Sequence, residues 1–277
     1  MSNRQYEAAV RGGNRTPGPI ENMPLAPSVP KAVTSFAGGM VEVISVGLDA
    51  ERAAPGELAQ CLSDAERLRA SRFVFDRDRR RFIVGRARLR HLLASRLGVQ
   101  PDAVELVYGP HGKPGLSRQF ADSDLRFNVS HSEDVAVYAF SRGCEIGVDV
   151  EVVRALSDAD DIAARFFSRR ECEAYLALGP RDKPLGFFNC WTRKEAFIKA
   201  IGDGLYHPLD CFDVSLVPSE PARILRVGDT PGEECGWRVE SFVPVPGFVA
   251  AVVIENRGRQ SGLRACVPQS ARAPKAP

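Results

Sequence analysis

The sequence predicts an α+β fold made of two similar halves, and three observations carry that prediction. Two segments keep a helical period over many residues, Asp78 to Leu97 and Gly186 to Ile201. Each is followed by short runs rich in β-branched and aromatic residues, bounded by Gly, Pro or Ser, which mark strands. The two long helices are also introduced alike, by Arg72-Phe73 in one case and Arg165-Phe166-Phe167 in the other. The echo divides the chain into halves of roughly 110 residues, a usual domain size.

Residues 1–38 are rich in Gly, Pro, Asn and Ser, with breakers at Gly12-Gly13-Asn14 and Pro17-Gly18-Pro19, and no hydrophobic period survives there. They are expected to be a disordered extension, with the first half spanning 39–150. Met40 opens a strand-like run that continues to Val46. Ser63-Asp64-Ala65-Glu66 is a capping-box pattern, so a short helix is expected up to Arg69. Within 78–97, Phe82, Leu89, Leu93 and Leu97 share one face, Arg80, Arg81 and Arg88 lie elsewhere, and Gly98 closes the helix. Strands are expected over 104–108, 125–129, 135–140 and 144–151, with a loop from Gly109 to Gly115. The second half, 151–256, should hold a helix over 162–167. Another helix is opened by Ser168, with Glu171 in the capping-box position, and runs to Leu178. The long helix over 186–201 is stopped by Gly202 and Gly204, and strands follow over 212–216, 237–242 and 248–254. Residues 257–277 are basic and contain Pro, and are expected to be a disordered tail.

With 277 residues and 44% hydrophobic composition, the chain can bury a proper core. A net charge of +2 names no partner. Locally, Glu66 to Arg90 holds ten Arg against three acids. That stretch reads equally as a solvated helix face and as a surface for phosphate oxygens, which Arg forks match. The seven Cys lack tight spacing and no CxxC pair occurs, which argues against a disulfide framework and a structural zinc site. No apolar run reaches the ~18 residues of a membrane span, and the N-terminus has no apolar signal core. A soluble cytoplasmic protein is expected.

Three carboxylates stand out. Asp149 and Glu151 lie two apart on an expected strand, so they share one face while Val148 and Val150 point to the other. Neighbouring carboxylates repel unless a cation sits between them, and oxygen ligands without His or Cys select Mg²⁺ over zinc. On these residues alone, two acids pointing into water is the commoner reading. Glu195 and Lys199 stand four apart on one helical face. A surface ion pair is the plain alternative. Against it, Phe187, Phe188, Trp191, Phe197 and Ile198 bracket the segment, so the helix should be largely buried, and buried charges need partners. Ser130-His131 ends a strand. The chain has four His and no G-x-S-x-G, so His131 is read as a phosphate donor rather than a triad base. Gly112-Lys113-Pro114 is a loop that either exposes its Lys or places it on a phosphate.

Three segments together resemble the 4′-phosphopantetheinyl transferases of the broad-specificity, single-chain (surfactin-synthetase-activating) type. They are Phe127-Asn128-Val129-Ser130-His131, Ile146-Gly147-Val148-Asp149-Val150-Glu151, and Trp191-Thr192-Arg193-Lys194-Glu195-Ala196-Phe197-Ile198-Lys199. Gly112-Lys113-Pro114, Arg165-Phe166-Phe167-Ser168 and Ile201-Gly202-Asp203-Gly204-Leu205 support the match, which runs from Met40 to Ile254. The resemblance implies a pseudo-dimer of two α+β halves with the active site in the cleft between them. It implies coenzyme A as donor, a serine of an apo acyl or peptidyl carrier protein as acceptor, and adenosine 3′,5′-bisphosphate as the other product. Carried over by position, Asp149, Glu151 and Glu195 would hold Mg²⁺ on the CoA pyrophosphate, with Glu195 also the candidate base. Lys199 and Lys194 would bind phosphate. Ser130 and His131 would meet the 3′-phosphorylated ribose, with Asn128 shaping that strand end, Lys113 reaching the same region and Gly112 in the adenine-side loop. Arg69 matches a cationic CoA-binding position, and Tyr108 stands where some members carry a further Arg. The Arg excess lies in one helical region and not along a broad groove, so a nucleic acid is not expected as partner, and the lack of a long apolar run argues against a membrane. A two-half chain is expected to act as a monomer.

Overall fold

A computed structural model describes residues 31–36, 41–50, 55–109, 112–202, 207–229 and 231–256. Both tails, the tip of the Gly109 to Gly115 loop and residues 203–206 lie outside the described residues. The strands are β1 (Lys31–Phe36), β2 (Val41–Gly47), β3 (Leu106–Tyr108), β4 (Pro114–Leu116), β5 (Leu125–Ser132), β6 (Val135–Arg142), β7 (Ile146–Val152), β8 (Phe212–Val214), β9 (Ile224–Val227), β10 (Trp237–Phe242) and β11 (Phe248–Glu255). The helices are α1 (Pro55–Leu58), α2 (Asp64–Ser71), α3 (Asp76–Leu97), α4 (Ala159–Phe166), α5 (Arg169–Leu176) and α6 (Lys183–Ile201).

The first half is an antiparallel sheet in the order β1-β2-β6-β5, and the second is a sheet in the order β10-β11-β7. Strand alternation explains how they stack. Along β6, Ala136, Tyr138 and Phe140 pack with Val84, Leu89 and Leu93 of α3. The residues between them, Val135, Val137 and Ala139, pack with Ile146, Val148 and Val150 of β7 and with Ala250, Val252 and Ile254 of β11. The opposite face of β11, Val249, Ala251 and Val253, joins Phe187, Trp191, Phe197 and Ile198 of α6. The layers therefore run helix, sheet, sheet, helix, and each half repeats one plan: an antiparallel sheet with one long helix on its outer face.

Local signals explain the helix ends. Ser63 and Ser168 each form a full capping box, with Glu66 and Glu171. Gly98 and Gly202 close α3 and α6 in the left-handed region, where a residue without Cβ is unstrained. Tyr138 Oη donates to Gly85 O at 2.9 Å and ties α3 to its sheet.

Strand β4 opens inside the loop expected to run to Gly115, and two further boundaries differ from the sequence expectation in ways that matter to the halves. Residues 31–36, placed by their surroundings in a disordered extension to residue 38, form β1 and pair antiparallel with β2. That strand is held by tertiary pairing, which local composition does not report. The division between halves does not fall at 150/151 either. It precedes β7, whose ladder partner is β11 in the second sheet.

Candidate active site

The site forms where β5 of one sheet runs beside β7 of the other and α6 crosses over β7. Two features of β7 make it. Alternation sends Val148 and Val150 into the layer between the sheets, so Gly147, Asp149 and Glu151 face α6. At Gly147 the helix comes so close that a Cβ there would overlap the Ala196 carbonyl oxygen and the Ala200 amide nitrogen. This approach lowers the segment bearing Glu195 and Lys199 onto the carboxylates of β7.

Lys199 Nζ lies 2.6 Å from Asp149 Oδ1 and donates to Ser130 Oγ at 3.1 Å. Ser130 Oγ donates to the same Asp149 oxygen at 2.8 Å. Two residues on, Ser132 Oγ donates to Glu151 Oε2 at 2.7 Å and accepts from Val152 N at 3.3 Å. Asn128 Oδ1 accepts from Val148 N at 2.9 Å. The three β5 side chains, at 128, 130 and 132, thus stitch the two sheets together along one face. Glu195 is buried on α6. Burial, the charge of Asp149 and the charge of Glu195 push Glu151 up to about 7, against the Ser132 hydrogen bond and Lys199. Burial alone would lower the Lys199 ammonium, but the charges of Asp149, Glu195 and Glu151 outweigh it and hold it above its usual value.

The donor set fits a hard cation. Asp149 Oδ2 is buried and makes no hydrogen bond, an orphan oxygen next to Glu151, which both Asp149 and Glu195 repel. All three groups offer oxygen and none offers sulfur or imidazole, which suits Mg²⁺. Among the described residues no three His, Cys, Asp or Glu side chains stand at metal-ligating spacing. The charge of Asp149 is instead met by Lys199 at the other oxygen, Oδ1.

The other expected residues divide. Lys113 reaches α6, donating to Lys199 O at 2.6 Å, and burial lowers its ammonium pKa despite Glu145. Gly112 has φ +78° in the turn after β3, a conformation favouring glycine. His131 lies next to Ser130, so alternation turns it to the other face of β5, where it is exposed. The guanidinium of Arg69 on α2 sits 5.3 Å from the centre of the Phe82 ring. Arg86 lies over both Phe82 and Tyr108, so the position of the absent Arg has a cation beside it from α3. Lys194 corrects the sequence expectation. It is fully buried away from the carboxylates, with Nζ 2.8 Å from Glu171 Oε2 and donating to Leu209 O and Phe212 O. A lysine so fully engaged in the core has no donor left for a phosphate. Ser132 was not foreseen, although its position two after Ser130 on one strand face was a usable signal.

The family profile described as the 4′-phosphopantetheinyl transferase superfamily matches residues 145–253, and one described as 4′-phosphopantetheinyl transferase, N-terminal, matches 53–142. The 4′-phosphopantetheinyl transferase HetI of Nostoc sp. is 39% identical over 220 residues, which cover 79% of this chain and 90% of the relative. The chain belongs to this family. The transferase is also similar to the 4′-phosphopantetheinyl transferase Sfp of Bacillus subtilis, at 29% over 191 residues, 69% of this chain and 81% of that one. The L-aminoadipate-semialdehyde dehydrogenase-phosphopantetheinyl transferase of Mus musculus is 32% identical over 212 residues, covering 70% and 67%. The transferase moves phosphopantetheine from coenzyme A to carrier proteins. The two profiles meet at 142/145, where the structure also divides into its two sheets. Among the described residues no helix is long and apolar enough to cross a membrane.

Proposed function

We propose that Asp149, Glu151 and Glu195 hold Mg²⁺ on the pyrophosphate of coenzyme A. The serine hydroxyl of the carrier attacks the β-phosphorus, a serine O–P bond forms, and the P–O bond to adenosine 3′,5′-bisphosphate breaks. The observation that carries this is the contact of Ser130 and Lys199 with Asp149, with Asp149 Oδ2 left unpaired. When bound, the metal would neutralise charge on the pyrophosphate oxygens.

The chain supplies the rest by position. Lys199 is a cation fixed by the β7 carboxylates, and phosphoryl transfer depends mainly on such placed charge. Ser132 orients Glu151. Glu195 closes the carboxylate set from α6; its first role is to hold the metal, and the proton of the carrier serine reaches it through water rather than by direct transfer to a free carboxylate. Lys113, and His131 on the exposed face of β5, serve the nucleotide end, while Ser130 holds Asp149 and Lys199 at the carboxylates, and Gly112 lets the Lys113 loop turn. Arg69 and Arg86, gathered around Phe82, extend that cationic surface on the first half. Both sheets contribute to one site within one chain, so a monomer suffices.

The test is product analysis with coenzyme A and an apo acyl or peptidyl carrier protein. The expected result is holo carrier and adenosine 3′,5′-bisphosphate in equal amounts with Mg²⁺, and neither in excess EDTA. Undiminished transfer in EDTA would remove the metal from the reaction.

A further inference from the structure

On the side of α6 turned away from the carboxylates lies a second cleft of ≈ 680 Å³, walled by α6, β9, β10 and β11. Its lining includes Arg193, which is only 3% exposed. Arg193 stands two residues before Glu195, ~200° around the helix at ~100° per residue, so it belongs to a different face from the catalytic groups.

Two groups in this cleft are incompletely satisfied. Arg193 Nε donates to Ser241 Oγ at 3.0 Å, and Nη1 donates to Ser215 O at 2.6 Å and Ser215 Oγ at 3.1 Å. All these partners are neutral, and among the described residues no carboxylate bridges the guanidinium. Burial pushes it down to about 10. Glu220, which also lines the cleft, opposes this only in part and forms no bridge with the guanidinium, and a buried charge so loosely paired is costly. Trp237, 6% exposed, lines the same cleft, and its indole Nε1 is buried with no acceptor. An indole N–H is donor only and finds a partner when buried. Around these two donors the lining is mixed, with apolar surface from Leu185, Ile224, Val239 and Val249 beside Asn189, Ser241 and the charged residues. Three arginines against two glutamates in the lining leave one net positive charge.

We propose that this cleft binds a monoanion with an apolar body, a carboxylate on an aliphatic or aromatic group. Arg193 is its counter-ion and the Trp237 indole N–H its second donor. The single net charge disfavours dianions such as a phosphate monoester, and the apolar part of the lining accounts for the body. The ligand is separate from coenzyme A and from the carrier serine, and it contacts the helix that carries Glu195 and Lys199.

The chain has two Trp, so its ¹⁵N-labelled spectrum contains two indole N–H signals, and Trp237→Phe assigns them. Octanoate and phenylacetate are the aliphatic and aromatic probes, and inorganic phosphate is the dianionic comparison. The expected result is a saturable shift of the Trp237 indole signal by one or both acids with Kd about 1 mM or tighter. Arg193→Gln should weaken that binding at least about tenfold, the cost of one charged hydrogen bond. Ala222→Phe, which narrows the cleft while leaving the Arg193 side chain in place and covers the case in which Arg193→Gln fails to fold, should weaken it as well. No shift by either acid up to about 10 mM overturns the proposal. So does a shift that survives in a folded Arg193→Gln or in Ala222→Phe, or one that phosphate produces equally well.

Discussion

Ser132 Oγ donates a 2.7 Å hydrogen bond to Glu151 Oε2 across the seam between the two sheets. The same oxygen accepts from Val152 N, so one hydroxyl fixes both the carboxylate and the backbone that bears it. Supporting hydrogen bonds of this kind orient groups that hold metals, and losing one costs about 10–100-fold in metal affinity or activity. Ser132→Ala should therefore raise the Mg²⁺ concentration needed for half-maximal transfer at least about tenfold, while costing only about 1 kcal/mol of stability. Ser132→Thr, which keeps the hydroxyl, should restore most of the Mg²⁺ response. Mg²⁺ titrations of the initial rate, beside urea unfolding, read both quantities.

Lys194 and Lys199 should behave in opposite ways. Lys194 is buried against Glu171, so Lys194→Met leaves that carboxylate unpaired and should cost about 3–5 kcal/mol. The double variant with Glu171→Gln should recover part of the loss. Lys199→Ala also takes the cation from a buried carboxylate, Asp149, but Lys199 is 27% exposed, so its cost in stability should be smaller and its main effect should fall on transfer. Urea melts and initial rates on the three variants separate the two roles.

That distinction was present in the spacing. Residues adjacent on a helix point ~100° apart, so Lys194 and Glu195 do not share a face, whereas Glu195 and Lys199 do. Strand alternation likewise placed Asp149 and Glu151 together, opposite Val148 and Val150, and the same rule separates His131 from Ser130. The two capping boxes and the glycine that ends each long helix were legible because those signals are local. What was not legible depends on distant partners. β1 exists through its ladder with β2, and the allegiance of β7 is set by β11 rather than by its own residues. The Ser132–Glu151 bond requires β5 and β7 to run side by side, which no periodicity states.

Gly147→Ala should be strongly destabilising. Its Cβ would meet helix backbone, which cannot swing aside as a side chain can. Overpacking of this kind costs about 3 kcal/mol or more. Relief by moving α6 outward would also lift Glu195 and Lys199 from β7. Any soluble Gly147→Ala protein should show a lower thermal midpoint and reduced transfer together.

Acid sensitivity should come in part from Asp213. Burial would raise its pKa, but the Arg226 fork, at 2.8 and 3.0 Å, and the Ser168 hydrogen bond hold it below the usual carboxylate value. A carboxylate with a depressed folded pKa stabilises the fold above the ordinary value and loses that contribution as pH falls through the depressed one. Asp213→Asn should cost about 1–2 kcal/mol at neutral pH, Arg226 being partly exposed, and little at strongly acid pH. Thermal midpoints of both proteins across that range should converge as pH falls.

Both sheets and α6 meet at Asp149. The most direct measurement is the initial rate of holo-carrier formation by Asp149→Ala at saturating coenzyme A and Mg²⁺, on protein shown by circular dichroism to be folded. A rate lower by at least about a hundredfold is predicted, the usual cost of removing one preorganised electrostatic group. A folded Asp149→Ala enzyme that transfers phosphopantetheine at the wild-type rate would contradict it.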